Sequence, residues 1–193
     1  MTDHPTHAAL VRAGVELLEE TGSPDVGLRE IARRAGVSHG APRRWFPTHR
    51  ALLSAVAAVG LADLADVVTT VAAGSRDPVR DAALAYIGFA VDRPAMFTLV
   101  FRHDLLEGGG SDLRGTSQPL MTWFRDLVDG PDERERDIRA AALWTSVHGI
   151  AVLASTGALA LASPTTAPAE LVDAAIAAAG GAHRSDQAGP LRT

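Results

Sequence analysis

The sequence predicts an all-α fold, with an N-terminal three-helix helix-turn-helix domain followed by a C-terminal helical bundle, about nine helices in total. Three observations predict it. Apolar residues recur at i, i+3, i+4 and i+7 in one segment after another, the period of a helix with one buried face. Between these segments stand Gly, Pro, Ser, Thr and Asp in the order that ends one helix and caps the next. No stretch alternates apolar and polar residues with the period of two that marks a strand.

The first helix carries Leu10, Val11, Gly14, Leu17 and Leu18 on one stripe, with Glu16, Glu19 and Glu20 pointing away from it, and Thr21-Gly22-Ser23-Pro24 ends it. Leu28, Ile31, Ala32 and Ala35 place a short second helix after Val26. Gly36-Val37-Ser38 breaks it, because Gly36 can take the left-handed conformation that closes a helix and the Ser38 hydroxyl can cap the next one. That next helix is short, from about His39 to Trp45, and Phe46-Pro47 stops it because a residue before proline disfavours helical backbone. Thr48 then caps a long helix whose stripe includes Leu53, Val56, Gly60, Leu64, Val67, Val68 and Val71, ending at Gly74-Ser75. A helix this long can belong both to the small unit and to the C-terminal bundle, so motion at its far end reaches the near one.

Asp77-Pro78 starts a further helix with Ala82, Ala83, Tyr86, Ile87 and Ala90 inward, and Arg93-Pro94 breaks it before an apolar helix bearing Met96, Phe97, Val100 and Phe101. Aromatic residues concentrate at 86–101 and 123–144. Tyr86, Phe89, Phe97, Phe101, Trp123 and Trp144, with His148, are therefore the candidate lining of a ligand pocket, a plain packed core being the alternative. The triple glycine at 108–110 has no strand before it and no Lys-Ser/Thr after it, so it is read as a flexible linker and not as a phosphate cradle. Ser111 is the expected cap of the next helix, with Leu120, Trp123, Phe124, Leu127 and Val128 on its stripe, and Gly130-Pro131 closes it.

The alternating charges of Asp132 to Asp137 mark the solvated first turns of the following helix, and from Ala140 to Ala169 there is no Asp, Glu, Lys or Arg. That length could span a bilayer. The segment is nevertheless built largely of Ala, Gly, Ser and Thr, carries His148 and is interrupted at Ser163-Pro164, unlike a membrane span. It is read instead as a helix buried on all sides, one face on its own core and the other on a second subunit. The last helix, about 168–179, places Leu171, Val172, Ala175, Ile176 and Ala179 on one stripe, and the tail to Thr193 reads as disordered. Helices at about 133–161 and 168–179, each with a surplus apolar face, suggest a four-helix bundle across a twofold axis.

Charge singles out one region. Between Val26 and Leu53 stand Arg29, Arg33, Arg34, Arg43, Arg44 and Arg50 against Glu30 alone, a local balance of +5 in a chain of net charge −5. A basic patch on an acidic chain points to a polyanion partner for that patch. Cysteine is absent, which excludes a disulfide framework and thiolate metal sites. His4 and His7 have a spacing that metals use but no third ligand nearby, so neither a metal nor a cofactor is expected. The start of the chain, Met1 to Pro5, is polar and shows no signal peptide, so a cytoplasmic location is expected. The domain boundaries read from the sequence are a basic helix-turn-helix domain at 1–50, a helical domain with the candidate pocket and pairing faces at 51–181, and a disordered tail at 182–193.

The run LREIARRAGVS, then Gly40, Phe46-Pro47-Thr48 and Ala51-Leu52-Leu53, resembles the tetracycline-repressor (TetR) family of bacterial transcription regulators. Ala41-Pro42-x-Arg44 and the later Trp144-x-x-x-His148-Gly149 resemble members whose C-terminal domain is named for a Trp-His-Gly motif. The resemblance implies a homodimer presenting two recognition helices to a near-palindromic double-stranded operator, and a small effector in the C-terminal domain that shifts the spacing of the two heads. It places Arg29 and His49 near phosphates, and Ser38, His39 and Ala41 near base edges, with Gly40 allowing close backbone approach. Arg43 and Arg44 could grip guanine or phosphate, and Trp45 completes the set. The chain departs from the family pattern at Gly27, where a Ser or Thr cap is usual, at Arg43, where Tyr is usual, at Trp45, where His or Tyr is usual, and at His49, where Lys is usual. An enzyme is the reading from another class, but no Glu-x-x-His pair, nucleophile elbow or zinc motif supports one.

Overall fold

The computed structural model describes residues 5–23 and 25–180, so His4 and the tail at 182–193 lie outside the described residues. Eleven helical segments and no strand are found among them: α1 Pro5–Thr21, α2 Leu28–Arg34, α3 Ala41–Trp45, α4 His49–Ala73, α5 Pro78–Asp92, α6 Pro94–Val100, α7 His103–Leu106, α8 Arg114–Asp126, α9 Glu133–Ser155, α10 Ala158–Ala162 and α11 Pro168–Ala178. The all-α expectation holds. The count exceeds nine because a single turn forms at α7 and because the helix expected at 133–161 is broken, its chain passing through left-handed Gly157 (φ 75°) between α9 and α10.

The chain forms two compact units, one of residues up to Val67 together with Gly88–Leu120, the other of Val68–Ile87 together with residues from Met121. In the first, α1 packs on α2, α3 and α6. Leu10, Leu18, Ile31, Leu52, Val56, Met96 and Leu99 are almost wholly excluded from solvent there. Leu10, Leu18, Ile31, Val56 and Met96 stand on the expected apolar stripes, Leu52 and Leu99 beside them, and their burial is favourable for the unit. Arg93 adds polar cross-links, its guanidinium meeting Glu19 of α1 and Asp63 of α4 while lying 5.1 Å from the Phe89 ring centroid.

Two sequence expectations change in this unit. The glycine run is no free linker, since Gly109 is buried and a Cβ added there would stand 2.5 Å from the Ser54 Cβ. The α8 cap is Asp112, whose carboxylate accepts the Gly115 N–H at 2.9 Å, and not Ser111. In the second unit α9 packs on α10 and α11, with Leu143, Val147, Ala151 and Val172 buried. Asp132 caps α9 by accepting the Glu135 N–H at 2.8 Å, and Asp77 caps α5 by accepting the Arg80 N–H at 3.2 Å. The other face of α9 is uncharged and uncovered in the single chain, from Ala141, Ala142 and Thr145 to Val152 and Leu153. By length and composition alone, α4 and α9 are long and apolar enough to cross a membrane.

Candidate nucleic-acid interface

The helix-turn-helix is built by local backbone chemistry. Gly27 precedes α2 with no side-chain cap, as its lack of a side chain requires. At the other end the Gly36 N–H donates to the Arg33 carbonyl and the Val37 N–H to the Ala32 carbonyl, the paired bonds of a Schellman closure. That closure needs the left-handed backbone that Gly36 adopts (φ 67°). The recognition helix begins at Ala41, two residues later than the expected start at His39. Pro42 has no N–H to give the Ser38 carbonyl, which accepts from Ala41 at 2.9 Å instead, so residues 39 and 40 form a turn. The preceding cap is Gly40 and not the Ser38 hydroxyl. Ser38 is thereby left exposed with its hydroxyl uncommitted among the described residues.

Phe46 ends α3 in extended backbone (φ −125°, ψ 98°), as a residue before proline does, and its ring is buried with 4% exposure. Thr48 caps α4, its Oγ1 accepting the Ala51 N–H at 3.0 Å. His49 donates its Nε2 hydrogen to the Val26 carbonyl at 2.6 Å, tying the start of α4 to the segment before α2. In the neutral ring this leaves Nδ1 as an acceptor only.

Ion pairs divide the arginines of the patch. Arg34 reaches back to α1 and donates to both carboxylate oxygens of Glu20, at 2.7 and 2.6 Å. This bond holds Glu20 below the usual carboxylate range and raises Arg34. Arg33 pairs with Glu30 in the same way, one turn away, lowering the acid and raising the base. Arg50 donates to the Glu107 carbonyl at 3.0 Å. Arg29, Arg43 and Arg44 are exposed and have no ion pair among the described residues. Sequence reasoning found the patch but missed this division. Its signals in the sequence were Glu30, one turn before Arg33, and Glu16 and Glu20 of α1, which meet Arg34.

Of the DNA-contact candidates, Ser38, His39, Gly40, Arg43 and Arg44 are exposed around the start and face of α3, Arg29 is exposed in the first turn of α2, and Ala41, Trp45 and His49 are half-buried. The ligand-pocket candidates divide between the units. Phe89, Phe97 and Phe101 belong to the first, where Phe97 and Phe101 have ring centroids 4.9 Å apart. Tyr86, Trp123, Trp144 and His148 belong to the second. There the Tyr86 hydroxyl and His148 Nδ1 share a hydrogen bond of 2.8 Å, and the Trp144 ring stacks on His148 at 5.2 Å between centroids and 19°. Burial pushes the Tyr86 hydroxyl well above the ordinary tyrosine range and His148 below the ordinary histidine value, favouring the neutral form of each.

Residues 10–56 match the family described as bacterial regulatory proteins, tetR family, and residues 79–179 match the tetracyclin repressor-like C-terminal domain. Among curated proteins none matches the chain in sequence. A protein of unknown function from Rhodococcus sp. RHA1 has the same fold at a TM-score of 0.75 and 25% identity, over 92% of this chain and 95% of that one. A TetR-like transcriptional regulator from Rhodococcus sp. RHA1 gives 0.65 at 13% identity, covering 91% and 93%. A TetR transcriptional regulator from Streptomyces coelicolor gives 0.53 at 25%, covering 89% and 97%. With both halves of its helical architecture matched and a helix-turn-helix presenting uncommitted arginines, the chain belongs to the TetR family of DNA-binding transcription regulators.

Proposed function

We propose that the protein is a ligand-responsive repressor, non-enzymatic and cytoplasmic, that binds a near-palindromic operator as a homodimer and is released by a small apolar or aromatic effector. The observation that carries the DNA-binding part is the sorting of charge on the helix-turn-helix, where Arg33 and Arg34 are spent on acids while Arg29, Arg43 and Arg44 face outward. Arg29 and the α4 start serve phosphates in this reading, and Ser38, His39, Ala41 and Arg44 approach base edges. The uncharged exposed face of α9, with α10 and α11, supports pairing of two chains. Two recognition helices then address major grooves at least one helical turn, roughly 34 Å, apart. DNA binding is assigned to residues 1–50, and ligand binding and dimerisation to 51–181. This is a division of labour, separate from the two packing units.

The effector site proposed is the Tyr86–His148–Trp144 cluster, whose stacked rings and part-buried hydrogen-bonded pair suit an aromatic guest. Selection of bound fragments from random double-stranded DNA tests the central claim. Recovery of one near-palindrome is expected, and no enrichment even at low salt would refute it. For the effector arm, a panel of aromatic ligands should contain members that both raise the melting temperature and release the selected DNA. A panel in which none does either would overturn that arm alone.

A further inference from the structure

The first unit contains a groove of about 840 Å3 that none of the residues discussed as the effector site lines. It runs along α1 and α4, past the end of α3, to the loop before α8. Ala51, Ala55 and Ala58 of α4 leave the space by being small, and Val11 and Val15 of α1 keep it apolar. Val59 borders it with 37% of its surface uncovered.

One end of the groove is aromatic. The His7 ring lies 4.7 Å from Phe46 and 6.3 Å, edge-on, from Trp45, and all three rings line the space. Arg12 supplies a cation to the same lining. It is exposed and has no ion pair among the described residues, whereas Arg34 and Arg93 of the same unit each meet two carboxylates. The acid in the lining, Asp112, is committed to the Gly115 N–H at the start of α8. An apolar trough with an aromatic end and one uncommitted guanidinium is complementary to a flat apolar body that carries a carboxylate, which a guanidinium can hold through two parallel hydrogen bonds.

We propose that this groove is a binding site for an aromatic or similarly flat organic anion, its carboxylate on Arg12 and its body against Trp45, Phe46 and the alanines of α4. The site is distinct from the effector cluster of the second unit. Trp45 is the last residue of α3, so a guest here touches the residue next to Arg44, and occupancy and DNA affinity are linked reciprocally. That linkage rests on the DNA-binding reading, whereas the binding itself does not.

Calorimetric titration of the full chain with naphthoate, and with its neutral analogue naphthamide, tests the site in the absence of DNA. Naphthoate is expected to bind saturably and about tenfold more tightly than the amide, the ratio that one charge-assisted contact supplies. Arg12→Gln should bring the acid down to the affinity of the amide. Val59→Trp, which fills the trough from an exposed position, should abolish both. Absence of saturable binding, equal affinity for acid and amide, preference for a naphthylmethyl ammonium, an Arg12→Gln variant that binds unchanged, or binding seen only at a site insensitive to Val59→Trp would each overturn the proposal. Because no DNA is present, these outcomes are independent of whether the selection experiment finds an operator.

Discussion

At the scale of single residues, what matters at the interface is which polar groups are already committed within the chain. Arg44 is uncommitted, exposed and on the recognition helix, so Arg44→Ala should weaken operator binding by about 1–3 kcal/mol. Binding measured across single-base operator variants separates the two contact types: a loss confined to one position marks base reading, and a uniform loss marks a phosphate. His49 is committed, through its bond to the Val26 carbonyl, and its removal leaves that partly buried oxygen without its donor. His49→Ala should therefore lower thermal stability, by about 1–2 kcal/mol, before it affects any DNA contact, and an unchanged melting curve would refute this. The half-buried His148 makes a pH prediction. Burial favours neutral His148 in the fold, so its contribution is complete above the ordinary histidine value of about 6.5 and is lost as pH falls through the lower folded value. Melting of wild type and His148→Gln across that range should show the wild type losing stability relative to the variant on the acid side; parallel curves would sink the idea.

Individual elements are held by contacts that caps and stripes alone do not specify. α2 follows the expected path because its own stripe and the Gly36 closure fix both ends, and Arg34 then fastens it to Glu20 fourteen residues earlier in the chain. The loop before α8 shows the opposite case. Three successive glycines read as freedom, yet Gly109 is where the backbone comes against Ser54 of α4, too close for any Cβ. Gly109→Ala should cost about 1–3 kcal/mol by forcing the loop off α4, measured by denaturant unfolding. Gly110→Ala strains the backbone instead, because that residue is left-handed (φ 90°), but meets no atom within 4 Å, so the two variants distinguish crowding from strain. The break at Thr156-Gly157 is likewise local in cause, since Gly157 turns the chain, but it divides a surface that the sequence presents as one helix.

For the whole molecule, the exposed side of α9 is the main uncovered apolar feature of the second unit, with Val152 and Leu153 each 41% exposed and Leu161 beyond it 88% exposed. Light scattering at micromolar concentration should give a dimer for the wild type and a folded monomer for Leu153→Glu, which places a charge on that face. A wild-type monomer would refute the dimeric reading. The sequence by itself determined most of the helices, their order, the Thr48 and Asp77 caps, the helix-turn-helix and the family, because periodicity, proline, glycine and capping residues act over at most about four neighbours along the chain. Tertiary structure alone decided that Arg34 is spent on α1 and Arg50 on the Glu107 carbonyl, where the glycine loop rests, how the aromatic residues divide between two units, and that a groove lies beside Trp45. Those outcomes depend on pairs such as Arg34 with Glu20 and Arg93 with Asp63, 14 and 30 residues apart in sequence, and no local pattern records which distant partner packing will bring within reach. Between Val26 and Leu53 the charge was therefore visible in the sequence, and its availability only in the fold.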